Sequence, residues 1–203
     1  MRIALGLKAH SGWAALVALA APEGELEVVD RRRIELIEAG DVYWAKQPYH
    51  AAEGLEPDEA RDVVKRGIAS ARRLAVRELR AAVKRARDAK HEIAACAVLA
   101  SNPMPDWSVA EILAVHFRMH KAEGVLFREA LARGAETCGL PLVEIREKDL
   151  ADHAERTLET PRARLTKAIA ELGKSAGAPW GADQKQAALA AWVALQGRED
   201  ARR

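Results

Sequence analysis

The alternation of apolar and polar positions along the chain predicts a mixed α/β fold. Residues 1–20 are apolar apart from a polar interruption at 8–12, which indicates a buried strand with a polar break. Turn-forming residues at 22–25 separate this strand from 26–37, where apolar and polar positions alternate, so we expect an antiparallel hairpin. Two later runs of apolar residues predict further strands, at 93–100 and 142–145.

Apolar residues at helical spacing predict helices over much of the remaining chain. The first begins at Pro57, because proline is favoured in the first turn of a helix, and ends near Ala89. The segment 39–56 has no clear period and is rich in aromatic residues. It is our first candidate for a ligand-facing loop, with a short third strand as the alternative. Four more helices are predicted, at 108–138, 147–158, 161–172 and 183–195.

Composition narrows the class of protein. The chain has 203 residues, 49% of them hydrophobic, which suits one domain with a buried core, predicted over 1–196 with a flexible tail at 197–203. Its 32 basic and 30 acidic residues nearly balance, which excludes a strongly cationic tail. The longest apolar run is about half a membrane span, and Cys96 and Cys138 lack metal-ligand spacing. We therefore expect a cytoplasmic protein with two reduced thiols and no membrane partner.

Basic residues are nevertheless concentrated in two places. The helix predicted over 57–89 carries many lysines and arginines away from its apolar stripe, as a solvated face or a nucleic-acid footprint would. Arg31 and Arg33 share one face of the strand over 26–37, because side chains alternate along a strand. A solvated edge strand and a phosphate contact both explain that pair.

Two histidines and a glutamate interrupt the apolar face of the helix predicted over 108–138. With about 100° per residue, His116, His120 and Glu123 fall within the stripe that contains Ile112. Burying such groups unpaired is costly. Three interpretations stay open: a polar network that satisfies itself, a cleft in which the histidines act as acid–base or anion-binding groups, and a single metal ion held by all three.

Two motifs resemble those of the junction-resolving nucleases of the ribonuclease H-like superfamily. Leu-Gly-Leu-Lys at 5–8 and Gly-Trp-Ala-Ala-Leu at 12–16 resemble the first strand of that group, and 165–169 with 181–188 resemble its closing motif. The start Lys-x-His-x-Gly-Trp-Ala is also similar to that of a group of uncharacterised bacterial proteins. The resemblance implies an α/β fold with a ribonuclease H-like mixed sheet, in which antiparallel first strands precede parallel strands and helices flank the sheet.

The metal-binding residues of the family are largely replaced here. The resemblance implies two divalent cations held by acids on the first strand, at the end of the fourth strand and on the last helix, which activate water against a phosphodiester. Lys8 stands at the first position, and 100–102 offers no carboxylate. Asp183 remains, and a capping box with Gln186 is its alternative role. Because an ammonium repels Mg²⁺, we expect two-metal chemistry to be lost and no cofactor, with a divalent metal as the alternative.

The replacement creates a predicted cationic cleft. We expect it to bind nucleic acid or a phosphorylated or otherwise anionic ligand. The structural alternative for Lys8 is an ion pair with Glu123 or Asp183. The candidate catalytic residues are Lys8, His10, His116, His120, Glu123 and Asp183, and the candidate ligand-binding residues are Arg33, Tyr49, His50 and Lys185.

Two other classes of function stay open. One is a hydrolase of the nuclease or phosphodiesterase type that works without metal, or with one metal at His116, His120 and Glu123. The other is a structural or protein-interaction domain, with a homodimer as one form. It would use tryptophans in irregular segments, at positions 44, 107 and 180.

Overall fold

The computed structural model of the protein describes residues 1–200, except for the side chains of Val42 and 198–200. The strands are β1 Arg2–His10, β2 Trp13–Ala20, β3 Glu27–Glu35, β4 Glu92–Ala100 and β5 Leu142–Arg146. They form one mixed sheet of spatial order β3-β2-β1-β4-β5. β2 pairs antiparallel with β1 and β3, whereas β4 pairs parallel with β1 and β5. The predicted order of antiparallel strands followed by parallel strands is confirmed.

Helices cover both faces of this sheet. The helices are α1 Val42–Ala45, α2 Pro48–Ala51, α3 Pro57–Asp88, α4 Val109–Leu113, α5 His116–Thr137, α6 Leu150–Thr157, α7 Arg162–Ala176 and α8 Ala182–Asp200. Because successive side chains of a strand point to opposite faces, Leu5 and Leu7 join the core under α3 and α5, whereas Ala4 joins the core under α6, α7 and α8. None of the helices in the described residues combines the length and the apolar character that a membrane span requires.

The polar break near the start of the chain is a turn between two strands. Gly12 has a φ of +86°, a conformation that suits glycine, and the turn pairs His10 with Trp13. The prediction of one interrupted strand over 1–20 is therefore wrong. Its two halves form the β1–β2 hairpin, and the strand predicted over 26–37 is β3 at the edge of the sheet.

Helix α8 lies unusually close to β1. A Cβ atom at Gly6 would stand 1.9 Å from the carbonyl oxygen of Ala187, so no side chain larger than hydrogen fits there without displacing the helix. This close approach brings the first turn of α8, with Asp183, to the end of β1 that carries Lys8 and His10. Glycine at position 6 thus shapes the site described below.

The helix predicted over 108–138 is broken. Ser108 caps α4 in a capping box with Glu111, and Val115 has the extended backbone angles φ −140° and ψ 112°. A new helix, α5, therefore begins at His116. The break changes the helical phase, so His116 and His120 are exposed rather than part of the apolar stripe, whereas Glu123 is 5% exposed.

Other boundaries differ less from the prediction. The helix predicted over 57–89 is confirmed as α3, and 147–158 contains α6 after one short turn of 3₁₀ helix at Glu147–Asp149. The described backbone of 39–56 holds the short helices α1 and α2 and no strand. At the other end α8 continues to Asp200, beyond the predicted end at Leu195, and residues 201–203 of the predicted tail lie outside the described residues.

Candidate functional site

Lys8 lies at the carboxyl end of β1 and is buried, with 6% of its surface exposed. Its Nζ atom forms an ion pair with Oε1 of Glu147, the residue that follows β5. The other carboxylate oxygen, Oε2, accepts a hydrogen bond of 2.9 Å from Nη2 of Arg128 on α5. The partners predicted for Lys8, Glu123 and Asp183, are therefore wrong. Parallel strands end at the same edge of a sheet, which is the sequence signal that indicates Glu147 instead.

The positive charges of Lys8 and Arg128 keep the carboxyl group of Glu147 ionised. Burial acts to raise the pKa of this carboxyl, but hydrogen bonds from Lys8 and Arg128, together with their positive charges, outweigh burial and hold the pKa below its ordinary value. Glu147 is therefore a carboxylate at neutral pH, and both of its oxygens face cations.

Two cavities open on this ion-pair network. A cavity of about 260 Å³ is lined by Lys8, His10, Glu123 and Arg128, among others. Its neighbour, of about 420 Å³, lies at the ends of β4 and β5, and Arg128 lines both. The Nε atom of Arg128 is buried and has no hydrogen-bond partner. The larger cavity is lined by Ala100, Ser101, Asn102, Arg128, Arg146, Glu147, Lys148 and Gln186.

The larger cavity is positively charged. Its lining holds three cations, Arg128, Arg146 and Lys148, and one carboxylate, Glu147. Arg128 is paired with Glu147, and Arg146 is paired with Asp149 at 2.5 Å. The side chains of Ser101, Asn102 and Gln186 offer neutral hydrogen-bond donors. Arg146 and Lys148 were not among the residues predicted from sequence. Arg146 ends β5 and Lys148 follows Glu147, so their position at the carboxyl end of a parallel strand identifies them in the same way.

His10 and Asp183 form a second contact at this edge. Nε2 of His10 lies 2.7 Å from Oδ1 of Asp183. The predicted capping box is absent, because α8 begins at Ala182 and the N–H of Gly181 is bonded to Gln184 instead. The structure thus brings three predicted residues, Lys8, His10 and Asp183, to one end of β1.

Arg33 reaches this group through an aromatic ring. The rings of His10 and Trp13 are stacked, with centroids 4.4 Å apart and planes 8° from parallel. The guanidinium of Arg33 lies on the Trp13 ring, 4.1 Å from its centroid, and also bonds Glu35 at 2.6 Å. Trp13 therefore lies between Arg33 and His10 in one stack.

The remaining predicted histidines form a separate cluster. Glu123 accepts hydrogen bonds from the backbone N–H of His50 at 3.1 Å and from its Nδ1 at 2.8 Å. His50 in turn lies against His116 and His120, with ring centroids 5.2 and 4.7 Å away. Among the described residues, neither His116 nor His120 lines the two cavities, so the single cleft predicted from sequence is divided into two groups that meet at Glu123.

Two predicted ligand contacts are placed elsewhere. Tyr49 is 6% exposed and packs in the core, where burial, followed by the charges of Glu129 and Glu123, raises the pKa of its hydroxyl. Lys185 is exposed on α8 and lines neither cavity in the described residues.

The three tryptophans of the irregular segments pack against the protein's own fold. Nε1 of Trp180 donates to the carbonyl of Ile169 at 2.8 Å, and Nε1 of Trp44 donates to Asp41 at 3.3 Å. Trp107 lies under the guanidinium of Arg118 at 4.7 Å. Because all three are partly buried, they offer less free aromatic surface than the sequence suggests.

The basic helix α3 is partly neutralised by neighbouring acids. Arg73 and Arg77 both lie within ion-pair distance of Glu38, and Arg85 pairs with Asp30 at 3.0 Å. These contacts attach α3 to the chain around β3. They reduce the charge that α3 has available for a nucleic-acid footprint.

The strand order and the helices on both faces define a ribonuclease H-like fold. Two solved structures of RuvC share this architecture. One, "T. thermophilus RuvC in complex with Holliday junction substrate", is 12% identical at a TM-score of 0.50, covering 98% of this chain and 96% of that chain. The other, "Thermus thermophilus RuvC structure", is 11% identical at a TM-score of 0.52 with the same coverage. At such identity the likeness is one of fold.

Comparison of the amino-acid sequence with protein families and with curated proteins finds no relative. No protein-family model matches the chain, and no curated protein matches it. The assignment of fold therefore rests on the architecture.

Proposed function

We propose that this protein binds the phosphate groups of a nucleic acid at the carboxyl ends of β1, β4 and β5, without the two metal ions of the nucleases it resembles. One observation carries the proposal. The buried ammonium of Lys8 stands at the first-strand position where the resemblance implies a metal-binding acid, and it is ion-paired with Glu147.

The carboxylates near Lys8 are poorly suited to Mg²⁺, which prefers oxygen ligands free of competing cations. Both oxygens of Glu147 face cations, Lys8 and Arg128. Oδ1 of Asp183 lies 2.7 Å from His10. Mg²⁺ would have to displace an ammonium and a guanidinium from a partly buried pair. This supports the loss of two-metal cleavage.

The carboxyl ends of β1, β4 and β5 are suited to binding a phosphate group. Phosphate oxygens form strong, charge-assisted hydrogen bonds with arginine and lysine. Of the three cations that line the 420 Å³ cavity, Arg128 is paired with Glu147 and Arg146 with Asp149, whereas no ion pair holds Lys148 among the described residues. Phosphate oxygens would bind the ammonium of Lys148 directly and would compete with the two carboxylates for the guanidinium groups.

Nucleic acid is the anionic ligand we propose first. A solved protein of this fold is described as a complex with Holliday junction substrate. The cavity lies at the carboxyl ends of β4 and β5, and its lining includes the exposed cations Arg146 and Lys148, which a chain of phosphates could contact from outside. A four-way DNA junction is therefore the first probe, with duplex DNA, single-stranded DNA and RNA beside it.

The test is fluorescence anisotropy of the full chain with each labelled nucleic acid, between about 50 and 200 mM salt. We expect binding that weakens with salt. Replacing two exposed cations, Arg146→Ala with Lys148→Ala, should lower affinity about tenfold and reduce the salt slope by about 2. The matched control, Lys167→Ala with Lys174→Ala, removes the same charge from α7, which lines neither cavity, and should change affinity less than twofold.

Two results would overturn the proposal. One is the absence of salt-sensitive binding to all four nucleic acids. The other is an equal loss of affinity in the cavity pair and the α7 pair, since that would assign binding to net charge alone. If a mononucleotide binds the cavity while all four polymers fail, the phosphate site stands and the nucleic-acid assignment falls.

The homodimer stays a prediction, and light scattering of the purified chain would check it. The interaction-domain alternative has lost support, because Trp44, Trp107 and Trp180 pack against the protein's own fold.

A further inference from the structure

Three histidines from two separate parts of the chain meet outside the cavities described above. His116 and His120 lie one turn apart at the start of α5, and His50 lies on α2. Each offers a ring nitrogen within 4.8 Å of those of the other two, and the Nε2 atoms of His116 and His120 are 3.0 Å apart. We infer that these three side chains form a binding site for one divalent transition-metal ion of the zinc class.

The spacing of the nitrogens fits such an ion. Imidazole nitrogens lie about 2.0–2.1 Å from tetrahedral Zn²⁺, so two of them on one ion are about 3.3 Å apart. The pair at 3.0 Å is already near that value, and the nitrogen of His50 lies within 4.8 Å of both, so closing the three on one ion requires a further approach of up to about 1.5 Å, which the exposed His116 and His120 rings could supply. Imidazole ligands favour Zn²⁺ and Co²⁺ over Mg²⁺.

Glu123 provides a second, independent observation. This carboxylate is 5% exposed and accepts hydrogen bonds from Nδ1 of His50 at 2.8 Å and from Gln47 at 3.3 Å. With Nδ1 engaged, His50 presents Nε2 to a metal, which is the usual arrangement of a ligating histidine backed by a carboxylate. Among the described side chains the partner of Glu123 within ion-pair distance is His50, so a cation bound to that ring would lie close to the carboxylate.

The local fold explains how the histidines converge. The extended residue Val115 ends one helix and starts α5 at His116, which places both histidines of that helix on one exposed face. On the other side, Gly67 allows α2 to dock on α3, because a Cβ atom there would lie 2.6 Å from Cβ of Pro48. Docking of α2 carries His50 toward α5.

Three protein ligands leave one coordination position of a tetrahedral ion open to solvent. Water or an anionic oxygen would fill it. This site differs from the metal site that sequence reasoning suggested. His50 takes the place of Glu123 as third ligand, and Glu123 orients His50 instead of binding the metal.

The test uses the full chain without a histidine tag, stripped with a chelator and titrated with Co²⁺ and then with Zn²⁺. We expect one equivalent of Co²⁺ with the intense visible absorption of tetrahedral nitrogen coordination, displaced by Zn²⁺. His116→Gln and His120→Gln should each lower affinity at least tenfold. Glu123→Gln should lower it about 10–100-fold through the orientation of His50. The matched control His153→Gln, on α6, should bind as the unmodified chain does.

The variants His116→Gln and His120→Gln are the decisive ones for metal binding. Both residues are exposed, so their replacement leaves the core intact. Absence of the cobalt absorption and of calorimetric binding at excess metal would overturn the inference. So would equal weakening by His153→Gln and His116→Gln. No nucleic acid enters this experiment, so its result is separate from that of the phosphate-binding test.

Discussion

Nζ of Lys8 and Oε1 of Glu147 form an ion pair across the edge of the sheet, between the ends of two strands that flank β4. The lysine is almost completely buried, whereas the side chain of Glu147 is 31% exposed and has a second cation, Arg128, on its other oxygen. Lys8 therefore depends on Glu147 for its counter-charge more than Glu147 depends on Lys8. The free energies of unfolding of single variants can measure this difference.

Replacing each partner should have different effects on stability. Glu147→Gln leaves a buried ammonium without its counter-charge and should cost about 3 kcal/mol in free energy of unfolding. Lys8→Met removes the buried charge while Glu147 keeps Arg128, and it should cost less than about 1 kcal/mol. Urea denaturation of both variants measures the difference. Equal losses would show that Lys8 is not held by Glu147.

The ion pair of Lys8 and Glu147 should also make the free energy of unfolding depend on pH. The pKa of Glu147 is lowered in the folded protein, so its contribution is complete above the ordinary value of 4.5 and is lost as pH falls through the lowered folded pKa. The stability gap between the unmodified chain and Glu147→Gln should therefore narrow between about pH 6 and about pH 3.5. Urea midpoints at the two pH values measure it. A gap that stays constant would contradict the assigned charge of Glu147.

The contact of α8 with β1 predicts that position 6 tolerates no side chain. In Gly6→Ala the added methyl would overlap the carbonyl of Ala187, so α8 must shift, at a cost of about 3 kcal/mol in free energy of unfolding. The shift would also move Asp183 away from His10. Gly40→Ala is the matched control, because a Cβ there meets nothing within 4 Å. Thermal melts of both variants would check this, and similar melting temperatures would argue against the close packing.

The docking of α2 predicts an indirect effect on the histidine site. Gly67→Ala should push Pro48 away from α3 and displace His50, which lowers the affinity for Co²⁺ without removing any ligand. Gly40→Ala again serves as control. Titration of both variants with Co²⁺ measures their affinities, provided that circular dichroism shows each variant to be folded. Unchanged affinity in Gly67→Ala would mean that His50 is placed by other contacts.

Sequence patterns predicted the elements whose periodicity is local and uninterrupted. Helix α3 and strand β4 were both found in this way, because each buries a continuous stripe or run. The same reasoning failed over 108–138, where one helical phase was carried through the break at Val115. The N-cap signal at Ser108 marks the start of the helix, but nothing local in the sequence marks its interruption.

The candidate site was harder to predict because its contacts join distant parts of the chain. Lys8 and His10 were expected together because both belong to β1, whereas Asp183 reaches His10 through the packing of α8 on β1 at Gly6. Glu147 was missed as the partner of Lys8 although it follows a strand that ends beside β1, whereas Arg128 could be found only from the position of α5. The pairing of His50 with Glu123 depends on the docking of α2, and that segment has no period from which its position could be inferred.

The most direct test of the account is binding of a four-way DNA junction to the full chain in Mg²⁺ and, separately, in excess EDTA, with the integrity of the DNA followed on a denaturing gel. The account predicts salt-sensitive binding that persists in EDTA, is lowered in Mg²⁺ only as far as added salt lowers it, and leaves the DNA uncut in both conditions, because under the proposed function Lys8 and Arg128 take the place of metal ions. Cleavage that requires Mg²⁺, or binding that disappears in EDTA, would contradict it.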